Sequence, residues 1–260
     1  MVEISQGWGA APRLCFVFAP GSRPDLAALD ALAVSPSDTA SGSSAATSFS
    51  LSHRSPDGTW AELLLHGLTF DCTGLAPGDG DAQPPAGPPV GLRSMPAGEV
   101  ISLAPAPHLA GGAGLIPVLQ VIAELGANLA ALSGVLAVTW TPAGSWVAPD
   151  LFRRAIAVWL DGGAFPGLIL TALEQKANGA IASRGLQLLI GQELYFEPDK
   201  RLPAATLARL AVRLIHELVQ IGPLQRERDF TGPGGERLLA VPVRDGTELR
   251  ILVSGLDSEQ

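Results

Sequence analysis

Apolar and polar positions follow two different periods along this chain, which predicts strands and helices that are interleaved. Alternation with a period of two, or a short apolar run, marks the strands. Strands are predicted over 13–19, 47–53, 59–66, 67–72, 99–104, 134–141 and 167–173. A period of 3.6 residues marks the helices. Helices are predicted over 24–34, 113–132, 150–161 and 203–221.

The clearest element is the helix over 203–221. Pro203 begins it and Gly222-Pro223 ends it, which fits the positional preferences of proline and glycine at helix ends. Arg213 and Glu217 are four residues apart on its polar face and are expected to pair. A hairpin follows, in which Arg244-Asp245-Gly246-Thr247 joins two apolar runs. Asn178-Gly179 predicts a second turn of the same kind.

Interleaved helices and adjacent hairpins together indicate an α+β fold, with a mixed, largely antiparallel sheet covered by helices. The order of elements from residue 99 onward is compatible with a ferredoxin-like arrangement. The β-α-β-β order of residues 1–73 is compatible with a degenerate second copy. We therefore predict ferredoxin-like elements, with duplication as an open alternative.

Composition predicts two loops. Residues 35–48 are small and polar, and residues 74–98 are dense in glycine and proline. We expect both to be mobile, because loops of this length usually serve a function or lack order. The second is the expected boundary between an N-terminal segment (1–73) and a main α+β domain (98–255), although one continuous domain is also compatible with the pattern.

The chain carries 25 Asp and Glu against 17 Lys and Arg, for a net charge of −8. Nucleic-acid binding is not expected, because no basic cluster is present to neutralise phosphates. The N-terminus lacks the basic start of a signal peptide, and the apolar stretch at 115–140 is interrupted by Gln120, Glu124 and Asn128. We expect a soluble, cytoplasmic protein without membrane contact.

The signatures of common chemistry are absent from the sequence. Cys15 and Cys72 lie in predicted strands and are expected to be buried thiols, and no histidine pair has metal-ligand spacing. No G-x-S-x-G nucleophile elbow occurs. Asp79 and Asp81 lie in the glycine- and proline-rich stretch, where a fixed catalytic geometry is not expected. No catalytic residue, metal site or cofactor is therefore predicted.

Four residues are retained as binding candidates: His108, Gly112, Arg184 and Glu193. His108 stands beside the glycine-rich turn HLAGGAGLIP, where a loop histidine without a special role is the simpler alternative. Gly112 belongs to that turn, but Pro117 occupies the position where a dinucleotide motif requires glycine. Arg184 and Glu193 flank a predicted strand. Arg184 is expected to pair with Glu193 or another acid, or to line a pocket.

The order of elements from His108 onward resembles an uncharacterised bacterial family, domain of unknown function 4261, over roughly residues 98–255. The most specific points are Trp140 at a strand end, Arg184-Gly185-Leu186, Gly191 and Glu193-Leu194. The segment after Gly222 lacks the Gly-Asp-Thr turn that the family would imply, and the N-terminal part is not matched. The resemblance implies a bacterial α/β or α+β domain and carries no catalytic residues.

These patterns favour a non-enzymatic binding or protein-interaction module with an unknown partner. A homodimer is one form that such a module takes, because open sheet edges favour self-association. The alternative is an enzyme of unrecognised type, with a cleft near His108, Arg184 and Glu193.

Overall fold

The computed structural model of this protein describes residues 12–34, 49–199 and 201–254. The polar segment 35–48 lies outside the described residues. The chain forms two compact units, Met1–Gly163 and Ala164–Gln260. This division differs from the boundary expected within 74–98. The physical reason is that the strands on either side of that stretch, at 68–73 and 99–105, hydrogen-bond to each other in one sheet.

The first unit is built on an eight-stranded sheet, whose pairs are antiparallel except for the β5–β8 pair. The strands are β1 (Leu14–Phe18), β2 (Ser50–Arg54), β3 (Trp60–Leu65), β4 (Leu68–Thr73), β5 (Pro89–Val90), β6 (Glu99–Pro105), β7 (Val135–Trp140) and β8 (Trp146–Val147). The order in the sheet is β2-β3-β4-β6-β1-β7-β8-β5. The helices are α1 (Leu26–Val34), α2 (Ile116–Leu129) and α3 (Pro149–Leu160), with a 3-10 helix at Pro107–Gly112.

The two faces of this sheet are covered differently. Leu14 of β1 points to α2 and α3. A Cβ added at Gly126 of α2 would lie 2.5 Å from Leu14 Cδ1 and 3.4 Å from the ring of Phe152, which belongs to α3. Cys15, the next residue, points to the opposite face, because successive residues of a strand alternate. There it belongs to a buried cluster with Val17, Val100, Ala137 and Trp146.

The opposite face is covered by residues 74–98, which we call the strap. Leu92 packs against the buried cluster, and the indole Nε1 of Trp146 donates to the Pro85 carbonyl oxygen at 2.9 Å. Asp81 is fixed from two sides: its N–H donates to the Val100 oxygen at 2.8 Å, and its carboxylate accepts from the Thr73 hydroxyl at 2.7 Å. The expectation of a mobile loop without fixed carboxylates is therefore wrong for Asp81, whereas Asp79 is exposed. Composition does not reveal that an apolar sheet face needs this cover.

The second unit contains a six-stranded sheet of order β12-β13-β14-β11-β10-β9, in which only the β11–β14 pair is parallel among the described strands. Its elements are α4 (Gly167–Leu170), β9 (Ala172–Gln175), β10 (Ile181–Arg184), α5 (Gln187–Ile190), β11 (Glu193–Phe196), α6 (Ala204–Ile221), β12 (Arg228–Thr231), β13 (Arg237–Val243) and β14 (Glu248–Ser254).

Two strand predictions in this unit are wrong. The predicted strand 167–173 is the short helix α4 followed by β9, and the segment between Arg184 and Glu193 contains the helix α5. Both segments are short apolar runs, LIL and QLLI, in which periodicity does not distinguish helix from strand.

The strongly periodic elements are confirmed. Helix α6 spans Ala204–Ile221, and the Arg213 Nε lies 3.3 Å from the Glu217 carboxylate. The hairpin of β13 and β14 turns through Arg244, Asp245 and Gly246, all with positive φ. The α+β class with largely antiparallel sheets is confirmed too. The elements after residue 99, however, divide between two sheets: β6–β8 complete the first and β9–β14 form the second.

The apolar stretch at 115–140 divides into α2 and β7, as predicted. In the described part of the chain, no helix combines the length and the apolar character that crossing a bilayer requires. Cys15 and Cys72 are buried free thiols, which confirms their expected role as small apolar residues.

Candidate functional site

His108 lies in the first unit, where the chain leaves β6 and enters the 3-10 helix. The Ala106 N–H donates to the Thr69 carbonyl oxygen at 3.2 Å, which holds the start of this turn against β4. The imidazole Nε2 of His108 lies 3.4 Å from the Thr69 hydroxyl oxygen, and the ring is exposed. The structure therefore places this candidate at the beginning of β4, with its ring exposed.

Two carboxylates share that part of the sheet. Glu62 of β3 and Asp71 of β4 are directly opposite each other in the antiparallel register, and both are half-buried. Burial raises the pKa of Asp71, and the neighbouring Glu62 carboxylate raises it further. His108 and a hydrogen bond with Trp60 oppose that rise in the pKa. The cluster therefore contains a carboxyl that holds its proton more strongly than an isolated aspartate does.

Glu62 is itself held from the neighbouring strand. Its Oε1 accepts a hydrogen bond from the Ser52 hydroxyl at 2.6 Å, and the His53 ring nitrogen lies 4.0 Å away. Sequence reasoning missed Glu62 and Asp71. The signal was the alternation of WAELLL and LTFDCT, in which the acids occupy the positions between the buried residues.

We expect Asp71→Asn to stabilise the first unit at neutral pH. Because the folded-state pKa of Asp71 is raised, its favourable contribution is complete below the unfolded pKa and is lost as the pH rises through the folded pKa. The isosteric amide removes this loss and still accepts a hydrogen bond from Trp60. The gain at pH 7 should be less than about 1 kcal/mol, since the group is half-exposed. It should vanish below about pH 4.

Urea unfolding at several pH values measures this effect. All five tryptophans lie within residues 1–163, so their fluorescence follows the first unit selectively. Asp79→Asn, at an exposed aspartate of the strap, is the matched control and should change nothing. A lower free energy of unfolding for Asp71→Asn at pH 7 would contradict the assigned direction.

The described side chains provide neither a group of metal ligands nor an accessible thiol. Among residues 12–34, 49–199 and 201–254, no three His, Cys, Asp or Glu side chains are grouped as metal ligands. Burial raises the pKa of both cysteine thiols to about 12, which keeps them protonated and unreactive while they are buried.

Gly112 ends the 3-10 helix that carries His108 and precedes α2. Its carbonyl oxygen accepts the Leu115 N–H at 2.9 Å, and a Cβ added there would lie 3.4 Å from Leu115 Cδ1. The glycine-rich turn is therefore a tight connection between β6 and α2. Its geometry adds nothing to the incomplete dinucleotide motif of the sequence.

Glu193 lies in the second unit, where it organises a turn. Its carboxylate accepts hydrogen bonds from the Gly185 N–H at 2.7 Å, the Gln187 N–H at 3.1 Å, the Leu186 N–H at 3.3 Å and the Ser183 hydroxyl. These donors surround the first turn of α5. The first backbone N–H groups of a helix have no acceptor within the helix. The Glu193 carboxylate supplies an acceptor for them, so this side chain has a structural role.

Arg184 precedes that turn and joins a charged group on β9. Its Nη1 lies 3.3 Å from Glu174 Oε1, and Lys176 Nζ lies 2.8 Å from the other oxygen of the same carboxylate. The hydrogen bond with Lys176 lowers the pKa of Glu174, and the charges of Lys176 and Arg184 contribute. An ion pair of Arg184 with an acid was predicted, and Glu174 is one such acid.

The four candidates are thus divided between the units. His108, beside Thr69, and Gly112 belong to the first. Arg184 and Glu193 belong to the second, around α5 and β9. The enzyme alternative expects a cleft near His108, Arg184 and Glu193, and of these His108 lies in the first unit while Arg184 and Glu193 lie in the second.

Gln192 is a buried polar residue that sequence reasoning missed. Its amide nitrogen donates to the carbonyl oxygens of Leu224 at 2.9 Å and Gly246 at 2.7 Å. Its amide oxygen accepts the Leu224 N–H at 2.8 Å. It therefore joins the start of β11 to the connection after α6 and to the β13–β14 turn. A glutamine within QLLIGQELYF gives no sequence signal for this role.

A groove of about 250 Å³ opens in the second unit at the end of β9. Its walls are the β9–β10 turn, the connection from β11 to α6 and the first turns of α6. The lining residues are Gln175, Asn178, Gly179, Pro198, Asp199, Leu202, Ala204 and Leu207. Leu207 is buried and Leu202 is half-buried, so the groove combines an apolar floor with amides at its rim.

The charges around the groove are paired among themselves. Arg201 Nη2 lies 2.6 Å from the Asp199 carboxylate, and the hydrogen bond between them lowers the pKa of Asp199. Lys176 contacts Glu174 on β9. The Asn178 side chain donates to the Tyr195 hydroxyl at 2.8 Å and accepts the Ala180 N–H at 3.1 Å, which fixes the turn. The turn wall of the groove is therefore fixed, and Asp199, the single charged residue among its described lining residues, is paired with Arg201.

Comparison of the chain with protein-family models, with curated proteins and with solved structures finds no match. The resemblance to domain of unknown function 4261 stays a prediction. The case for a function therefore depends on the geometry described above.

Proposed function

We propose that this protein is a non-enzymatic binding module whose second unit takes an extended, uncharged peptide segment. The observation that carries the proposal is the groove of about 250 Å³ at the end of β9. Its volume suits one or two side chains of a peptide, and its apolar floor with a polar rim is the composition common to ligand sites.

The position of the groove favours an extended peptide. Within the described residues, β9 is the last strand of its sheet and hydrogen-bonds to β10 alone. The outer edge of such a strand offers unpaired backbone groups, and addition of a peptide strand satisfies them. A peptide paired with β9 would continue past Gln175 toward the groove, where one of its side chains would reach Leu202 and Leu207.

The charges around the groove favour an uncharged peptide. Asp199 is paired with Arg201, and Glu174 with Lys176 and Arg184. Among the described residues, a charged ligand residue would have to displace one of these pairs to gain a partner. We therefore infer an aliphatic anchor residue flanked by neutral residues, with affinity from apolar burial and backbone hydrogen bonds.

Filling the groove should abolish binding. Ala204 is exposed and lines the groove, so Ala204→Trp blocks the groove without disturbing a buried position. Ala205→Trp places the same ring on the next exposed residue of α6, which is not among the lining residues, and is the matched control. The probe is a displayed library of random ten-residue peptides selected against the full chain. We expect enriched peptides that bind at least about tenfold more weakly to Ala204→Trp and equally to Ala205→Trp.

Two outcomes would overturn this proposal. One is that no peptide is enriched on the unmodified chain above the background of Ala204→Trp. The other is a dimer in sedimentation analysis that Ala204→Trp dissociates and Ala205→Trp does not, because the groove would then bind a second copy of this chain.

The second candidate function is an enzyme. It is favoured by the raised pKa of Asp71 beside Glu62 and His108, because catalytic sites often contain carboxyls of perturbed pKa. Glu193 is a poor general base, since each of its oxygens accepts two hydrogen bonds. A panel of chromogenic ester, phosphate and glycoside substrates tests this candidate. Turnover that Asp71→Asn and His108→Ala both abolish would replace the binding proposal.

A further inference from the structure

The strap, residues 74–98, buries few of its own side chains. It crosses the face of the sheet that carries Cys15, Val17, Val100 and Ala137, whose side chains are all buried. Of its residues, every one of which the structure describes, Leu75 and Pro84 alone are buried. The other face of the sheet, which carries Leu14, is covered by α2 and α3. Eight residues of α2 are themselves buried.

Isolated hydrogen bonds hold the strap in place, and they begin with those of the Leu75 N–H to the Thr59 oxygen and the Ala76 N–H to the Pro24 oxygen. At its beginning, the Arg23 guanidinium donates to the carbonyl oxygens of Gly74, at 2.8 Å, and Gly78. Near its middle, the Asp81 N–H donates to the Val100 oxygen at 2.8 Å. Further along, Trp146 donates through its indole to Pro85 and through its backbone N–H to Pro88, both at 2.9 Å.

Strand pairing adds few hydrogen bonds to these isolated ones. The strap contributes a single strand, β5, which consists of Pro89 and Val90 alone. Segments with few buried apolar contacts and few regular hydrogen bonds open at lower free energy than the core to which they belong.

The surface beneath the strap contains polar side chains. The register places Thr139, Cys15 and Ser102 side by side on β7, β1 and β6, and all three are buried. The Cys15 sulfur lies 3.7 Å from the Ser102 hydroxyl. Within the described part of the chain, the Thr139 hydroxyl has no hydrogen-bond partner. Water reaching this band would satisfy that hydroxyl, which favours opening on this face.

We propose that the strap is a releasable cover that opens from the sheet while α2 and α3 stay in place. Opening exposes the band of Thr139, Cys15 and Ser102 without unfolding the first unit. The strap is then a conformational device of the first unit, whereas the peptide groove belongs to the second.

The two cysteines supply a matched test, because they lie on opposite faces of the same sheet. Cys15 lies beneath the strap. Cys72 pairs with Leu103, which in turn pairs with Leu14, so it lies on the helix-covered face. Cys72→Ala leaves Cys15 as the single thiol, and Cys15→Ala leaves Cys72. Labelling of each variant with a chromogenic aromatic disulfide, without denaturant and at increasing urea, measures how each thiol becomes accessible.

We expect Cys15 to react at least about tenfold faster than Cys72, with a rate that depends weakly on urea. Cys72 should react only as fast as global unfolding allows. Trp146→Phe removes the indole hydrogen bond with Pro85 and keeps an aromatic ring in the cluster. It should accelerate labelling of Cys15 severalfold in the absence of denaturant, whereas labelling of Cys72 should keep its steep dependence on urea.

Equal rates for the two thiols, with the same steep dependence on urea, would overturn the proposal, because the strap would then open only when the unit unfolds. If a cysteine variant does not fold, amide hydrogen exchange of the unmodified chain tests whether the strap opens separately. The Ala148 N–H, bonded to the Val90 oxygen, should exchange faster than the N–H groups of Phe16 and Val138 in the central strands. Equal protection of all three amides would also overturn the proposal.

Discussion

Gln192→Leu should destabilise the second unit by about 3 kcal/mol or more, while the first unit is unaffected. Leucine has nearly the volume of glutamine and fills the same space. It cannot replace the three hydrogen bonds with Leu224 and Gly246. The Leu224 N–H then stays buried without an acceptor, which is the expensive part of the change. The connection after α6 and the β13–β14 turn lose the group that joins both to β11.

Two spectroscopic signals distinguish unfolding of the first unit from unfolding of the second. Tryptophan fluorescence reports the first unit, since all five tryptophans precede residue 164. Far-ultraviolet circular dichroism includes the helices of both units, so a transition that it shows and fluorescence does not belongs to the second. Gln187→Leu is the matched control, because that side chain is exposed while its backbone N–H still bonds to Glu193. An unchanged circular dichroism transition for Gln192→Leu would show that the three hydrogen bonds contribute little.

Gly98→Ala should destabilise the first unit by about 3 kcal/mol, which is a large effect for a single methyl group. A Cβ at this position would overlap the Phe18 carbonyl oxygen and lie 3.0 Å from its carbonyl carbon and 3.1 Å from Val17 Cγ1. These atoms belong to β1, which is held between β6 and β7 and cannot move aside. The end of the strap must then leave its position next to β1.

Gly111→Ala is the matched control for Gly98→Ala. Gly111 lies in the glycine-rich turn, and a Cβ there meets nothing within 4 Å. Its substitution should change the free energy of unfolding by less than about 0.5 kcal/mol. Urea unfolding followed by tryptophan fluorescence compares the two variants. Equal stability of both would mean that the strap end can shift away from β1 at little cost.

The elements that the sequence predicted well are those whose residues decide their structure locally. Helix α6 has a long apolar stripe between Pro203 and Gly222, and the β13–β14 hairpin has Asp245-Gly246 at its turn. Over 18 residues, a helical period cannot be confused with a strand. Helices α4 and α5 have four residues each, which is about one turn, so their period could not be recognised and strands were predicted instead.

The candidate site was predicted only in part, because its residues come together through strand register. His108 was selected for its place beside a glycine-rich turn. Its neighbours Thr69 and Asp71 are about 40 residues earlier in the chain. Glu193 was selected as a charge in an apolar segment, and the structure explains it through the N–H groups of α5, a helix that the sequence did not predict.

The sequence by itself determined the α+β class, the long helices, the main hairpin and the burial of both cysteines. These follow from the spacing of apolar residues and from the conformational preferences of glycine and proline, which act within a few residues. Only the tertiary structure decided that the glycine- and proline-rich stretch is an ordered strap, that the chain divides at Gly163, and that a groove forms at the end of β9. Each of these depends on which surfaces meet across many residues of chain, and local spacing carries no information about that.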